Sequence, residues 1–282
     1  MTELALKPSH AVRARNHAGL IGSLWFLRAA TSLVIVWPLT SVIRAVYGAH
    51  PKGDAVLFEP GAEALVDFVA RDLPSYAPAL TAHVVVVFPL VFALHALCSG
   101  AAVVVLSREG SPAARRRAGI AQATPHAIPL LAQSFATLIL EVLALVLAGI
   151  AYGVASTAFE GRGLPFAERA GILAALPALC LIPYFEAARD ASAIALLNAG
   201  ATPIVGFLRA HLAVLKRPRI TLAFAWRASL SLGLVFVASE LATRLGGRAG
   251  GAFVALFLAH QAVAAARTAL RVSWLAAAIR LA

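Results

Sequence analysis

The stretch Pro183–Arg219, PYFEAARDASAIALLNAGATPIVGFLRAHLAVLKRPR, lies between two long apolar runs and carries a helix-turn-helix signature. Gly200 follows the apolar run Ala191–Ala199, the place where a helix C-terminal glycine is expected. Thr202 and Pro203 then supply an N-cap and a proline at the first helical position. The second helix ends at Lys216-Arg217-Pro218, with cations in its last turn and a proline stop. At about 100° per residue, Ile204, Phe207, Leu208, His211, Leu212, Val214 and Leu215 share one face. Arg209, Lys216 and Arg217 fall on the opposite arc with Gly206, Ala210 and Ala213. Residues 187–218 therefore read as a cytoplasmic hairpin with a basic amphipathic second arm. Such an arm can lie on a lipid surface or dock a partner. The plainer reading is a connector packed beneath the bundle, preferred because any linker between membrane helices meets the same interface.

Composition says what surrounds this hairpin. The 282-residue chain is 61% hydrophobic and only 13% charged, and its mean hydropathy is +0.84. Soluble domains carry about 25% charged residues, so a soluble fold is excluded. The net charge of +11 raises nucleic acid as a partner. The cations, however, sit in short segments between apolar runs, as the positive-inside rule requires, and no aromatic-basic groove accompanies them. No nucleic-acid partner is expected. Cys98 and Cys180 lie inside apolar runs and read as small buried residues rather than a disulfide. The first apolar run is too long for a signal-peptide core, and no cleavable signal peptide is expected.

The fold expected is an all-α polytopic membrane bundle, one domain over 1–282, with spans near 19–47, 76–106, 124–158, 165–186, 220–245 and 251–274. A basic tail with Lys7, Arg13 and Arg15 precedes the first span. Between the first two spans lies an acidic segment with Asp54, Glu59, Glu63, Asp67 and Asp72 against Lys52 and Arg71. Residues 60–73 of it read as an outer amphipathic helix with Leu65, Phe68, Val69 and Leu73 on its apolar side, covering the bundle end. Residues 107–124 read as an inner loop holding Arg108, Arg115, Arg116 and Arg117. Pro177 and Pro183 should bend or break the fourth span. Residues 246–250, GGRAG, read as an outer turn. Most of the 24 cations fall on the side that holds both termini, which places the termini in the cytoplasm of a multi-pass cell-membrane protein; Arg244 and Arg248 run against that bias.

Candidate chemistry is sparse. Glu141, within LILEVLALVL, is the costliest residue, and Gln133, Thr137 and Glu141 recur every four residues as a polar stripe. With His83, His95 or His260 it could form a proton or cation site; equally, each of these groups could bond a neighbouring helix. Glu240 and Arg244 read as a structural pair near a helix end. Arg115, Arg116, Arg117, Arg209 and Lys216 are the candidate contacts to lipid headgroups. In the hairpin, Glu186 and Arg189 are three apart and share a face. Asp190 is expected to pair with Arg217 or Arg219 and so pin the hairpin. No HExxH, close His/Cys cluster or Walker A sequence occurs, so no catalytic residue, metal or cofactor is expected.

Asp190, Ile194 and Lys216-Arg217-Pro218 also resemble a pattern in uncharacterised bacterial six-helix membrane proteins. In that pattern Asp-x-x-x-Ile opens a short helix, and a second helix ends in basic-basic-proline before the fifth span. The group often has arginine where this chain has Ala193. The resemblance implies an integral protein of a bacterial inner membrane and brings no active site. The leading expectation is a non-enzymatic accessory or scaffold component that binds membrane lipid, anionic lipid in particular, or a membrane or cytoplasmic protein. A small transporter or channel using Glu141, and a lipid-processing enzyme, are the alternatives.

Overall fold

The computed structural model describes residues 12–51, 56–57, 63–245 and 251–281. The tail with Lys7, the part of the acidic segment with Lys52, Asp54 and Glu59, residues 60–62, and the 246–250 turn with Arg248 lie outside them. The described residues are almost wholly helical and contain no β-strand. Helices α1 (Ala18–Tyr47), α2 (Glu63–Asp67), α3 (Leu73–Ser107), α4 (Pro112–Ala123) and α5 (Ala127–Ala158) occupy the first part. They are followed by α6 (Leu164–Leu179), α7 (Leu181–Asn198), α8 (Pro203–Lys216), α9 (Pro218–Leu245) and α10 (Gly251–Leu281).

Six helical segments are long and apolar enough to cross a membrane. Between 6% and 39% of each segment's most apolar window is buried, so these helices turn their large side chains outward. Phe26, Trp37, Leu90, Ile128, Leu173 and Phe236 are all exposed. In water that arrangement would forfeit the hydrophobic effect; against lipid tails it forfeits nothing.

The chain folds into two compact units. The first comprises Met1–Ala18, Ala96–Ser231 and Ala269–Ala282; the second comprises Gly19–His95 and Leu232–Thr268. In the second unit, Val42, Leu57 and Phe68 form a small core with Ile43, Val46, Tyr47, Leu73 and Tyr76 packed on it. The Tyr47 hydroxyl donates to the Ala64 carbonyl, 3.0 Å. The expected outer helix is thus no separate element. A π-helical turn at Phe68–Asp72 joins α2 to α3, so the helix runs on into the second span. Of the expected apolar side, Phe68 is buried and Leu73 packs beside it, but Leu65 and Val69 are exposed.

The first unit corrects a second expectation. The arginine-rich segment after Ser107 is a helix, α4, and not a loop. Ser111 caps it by accepting from the Ala114 N–H, and Pro112 takes the first position. A 3-10 turn at Thr124–His126 leads from it into α5. Glycine permits the close approach of α3 and α4: a Cβ at Gly119 would sit 2.8 Å from Val105 Cγ2 and 2.9 Å from the Ala101 carbonyl oxygen.

Helix α6 folds back on α5 through a link in which Gly163 takes φ +96°, a value that favours glycine. The α6–α7 break at Cys180 falls between Pro177 and Pro183, where the sequence placed it. Helix α7 then packs on both α5 and α8.

The α7–α8 turn forms at Gly200, φ +63°, ahead of Pro203. Helix α8 packs by a mixed face that takes in part of its apolar side, with Phe207 and His211 half-buried. Gly206, Ala210 and Val214 are buried, whereas Ile204, Leu208, Leu212 and Leu215 look outward. Small residues let two helix backbones approach closely, and that packing uses up the small side of α8.

Candidate functional site: a charged knot on the hairpin

The Asp190 carboxylate, on α7 in the first unit, is only 3% exposed. Arg271 of α10 grips it with both guanidinium nitrogens, Nη2 at 2.6 Å from Oδ1 and Nη1 on Oδ2. The Trp274 indole N–H donates to Oδ2 at 2.6 Å. Arg189 approaches Oδ1 at 3.4 Å while pairing through both nitrogens with Glu186, Nη1 to Oε1 at 2.7 Å. Arg271 Nη1 also lies 3.7 Å from Glu186 Oε2. Two carboxylates and two guanidiniums therefore balance within one network.

Local sequence explains the geometry. Glu186, Arg189 and Asp190 occupy neighbouring turns of α7, and Arg271 and Trp274 are three apart, hence on one face of α10. Trp274 is buried and fixed edge-on against Phe224, with ring centroids 5.0 Å apart and planes at 83°. A bidentate fork plus an indole donor is the arrangement that lets a carboxylate stay charged away from water.

This corrects the expected pin. Asp190 does not meet Arg217 or Arg219: Arg217 donates to the Leu281 carbonyl at 2.9 Å, and Arg219 is exposed. The expectation took the cations nearest in sequence, and Arg271 is 81 residues away from Asp190. The one available signal was the Arg271/Trp274 spacing at the end of the last apolar run. The Glu186–Arg189 pair is present as expected.

Glu141 on α5 is half-buried, and its Oε1 has no hydrogen-bond partner among the described residues. Glu186, Arg189 and Asp190 are near enough to act on it electrostatically. It is a third carboxyl beside an already balanced network.

Its stripe neighbours are buried. Thr137 donates back to the Gln133 carbonyl, 2.9 Å, and Gln133 Nε2 donates to the Pro203 carbonyl, 3.2 Å, while its Oε1 has no partner among the described residues. His95 and His260 belong to the second unit. Each places a ring nitrogen on a carbonyl of its own helix, Val91 and Leu256, at 2.9 Å. His83 of α3 instead reaches across to the Val34 carbonyl of α1, 3.0 Å. Among the described residues, no group of three His, Cys, Asp or Glu could hold a metal ion. Glu240 and Arg244 form an exposed pair at 2.7 Å.

The candidate headgroup residues divide. Arg116, Arg117, Arg209 and Lys216 are exposed. Arg115 is not available: it is half-buried and donates to the ring of buried His17 at 3.2 Å.

A second cluster, on the hairpin itself, had no signal in the sequence beyond a shared helical face. His211 of α8 sits among Phe207, Tyr184 and Phe185, with the Phe207 ring centroid at 4.5 Å. The Tyr184 hydroxyl donates to the His211 carbonyl at 3.3 Å and lies 3.0 Å from Nδ1. Nδ1 must then donate to the hydroxyl, leaving Nε2 as a buried acceptor without a partner among the described residues. Burial holds the His211 pKa below its ordinary 6.5. The C-terminal end of α7 is closed by Gln122, which donates to the Leu197 carbonyl at 2.6 Å, and by Asn198, which donates to Ser107 Oγ at 2.9 Å.

Two outcomes are expected. Arg271→Met should cost about 3–5 kcal/mol by stranding Asp190, seen as a large fall in Tm in detergent. The double change Asp190→Leu with Arg271→Met should recover most of it. A double variant no better than the single one removes the pair from the centre of the fold. For His211, the folded pKa lies below the unfolded one, so the unfolded chain takes the proton first. Stability is then complete above the unfolded pKa and falls as pH drops through it. Between about pH 7.5 and 5.5, wild type should lose more Tm than His211→Gln; equal losses would contradict the assignment.

No protein-family model matches the sequence, and neither a curated protein nor a solved structure matches the chain.

Proposed function

We propose that the protein is a non-enzymatic component of a bacterial inner membrane, an accessory subunit or scaffold, that engages anionic lipid through its basic cytoplasmic face. The observation that carries this reading is the outward face of α8. Ile204, Leu208, Leu212 and Leu215 are exposed, and exposed Arg209 and Lys216 border them. The helix has 14 residues, about 21 Å at 1.5 Å per residue, too short for a hydrocarbon core of about 30 Å. A helix of that length with an apolar face and a cationic edge suits the membrane–water interface. The charged knot holds α7, and α8 packs on α7. The distribution of cations supports a cytoplasmic placement of both termini and of α4.

The test uses single cysteines at Leu208 and Leu212 in a background without Cys98 and Cys180, each carrying an environment-sensitive probe, in reconstituted vesicles. Brominated acyl chains should quench both probes, more strongly as anionic lipid is added, and Arg209→Gln with Lys216→Gln should weaken the dependence. Quenching by aqueous reagents alone, independent of lipid charge, would sink the proposal.

The unpartnered Glu141 oxygen beside a balanced network favours one further reading, a proton or cation pathway through the bundle. On it, Glu141→Gln should assemble normally and abolish flux in vesicles. Wild-type vesicles that carry no proton, sodium or potassium flux under imposed gradients would remove it.

A further inference from the structure

A cleft of about 430 Å³ opens between the segment around Ala14 and the last turns of α10. It is lined by Arg13, Ala14, Arg15, Ser273, Ala276 and Arg280. Arg280 donates to the Val12 carbonyl, which ties the segment to α10. The 3-10 turn at Ala14–Asn16 follows at once, and Arg13 and Arg15 flank Ala14 on the cleft wall.

Among the described residues that line the cleft, the charge is all of one sign. Arg227 of α9 donates through Nε to Ser273 Oγ, 3.1 Å, and lies within Coulombic reach of Arg280. Among the described residues, no carboxylate stands within salt-bridge distance of Arg13, Arg15, Arg227 or Arg280. Elsewhere in the same unit the contrast is plain, since Arg189 and Arg271 are matched by Glu186 and Asp190. Arg13, Arg15 and Arg280 are exposed along this one cleft, so an anion seated there would meet guanidiniums from both of its walls. Ser273 accepts from Arg227, so its hydroxyl proton is left to donate.

We infer that this cleft binds a phosphate-bearing anion, with the Arg13, Arg15 and Arg280 guanidiniums and the Ser273 hydroxyl as its donors. Arginine forks suit the oxygens of a phosphate, where lysine would act only as a point charge. The volume falls in the roughly 300–1,000 Å³ range of small-molecule sites. A phospholipid headgroup and a free phosphate ester present the same chemistry. The site uses elements other than α8 and stands apart from the reading of that helix.

The test takes the full chain, delipidated in a neutral detergent, and measures Tm and Kd with inorganic phosphate and with a short-chain phosphatidylglycerol. Sodium chloride at matched ionic strength is the control. Phosphate, the lipid or both should raise Tm beyond chloride. A response to the lipid alone assigns the site to a headgroup; a response to inorganic phosphate assigns it to a free phosphate group. Arg13→Gln with Arg15→Gln, which spares the Arg280 tie to Val12, should weaken the Kd about tenfold or more. Ser273→Ala provides a second, smaller change and should weaken it several-fold. The inference is overturned if neither ligand exceeds chloride, or if both variants bind as wild type does.

Discussion

The bidentate grip of Arg271 on Asp190 is the interaction on which the hairpin depends. A carboxylate buried to this extent is tolerable only with a full set of donors. Arg271 and Trp274 supply them from α10, and Arg189 adds a weaker one from α7 itself. Because those donors come from an element 81 residues distant, α7, the first arm of the hairpin, is held to α10 by tertiary contact. Phe224 in turn holds Trp274, so the network reaches α9 as well.

Around that knot, packing follows membrane logic. Glycine makes the close approaches, at Gly119 against α3, Gly171 against the Tyr152 ring and Gly100 against Leu130. Large aliphatic side chains are left outside. Association between helices in lipid gains little from burying Leu or Ile, whereas close backbone approach gains dispersion energy. The same rule explains why α8 presents Leu208 and Leu212 outward.

The arginines fall into two populations. Arg189 and Arg271 are neutralised by carboxylates, and Arg115 is drawn in to His17. Arg13, Arg15, Arg116, Arg117 and Arg209 are exposed. The first population holds helices together. The second supplies the positive field that an anionic surface or ligand would meet.

The sequence by itself determined the all-α class, six segments fit to cross a membrane, the Gly200–Pro203 turn and the break between Pro177 and Pro183. Those features rest on composition, run length and local backbone chemistry, which neighbours along the chain decide. Tertiary structure alone decided the partner of Asp190, the outward face of α8, the burial of His211 by Tyr184 and Phe207, and the arginine cleft at α10. A helical period shows which residues share a face; it does not show which face meets another helix, because in lipid the apolar face need not be the buried one. It also does not rank ionic partners, since a carboxylate chooses by geometry and desolvation and not by distance in sequence. Arg217 and Arg219 were near in the chain and Arg271 was not, yet only Arg271 carries a tryptophan three residues on that can complete the carboxylate's set of donors.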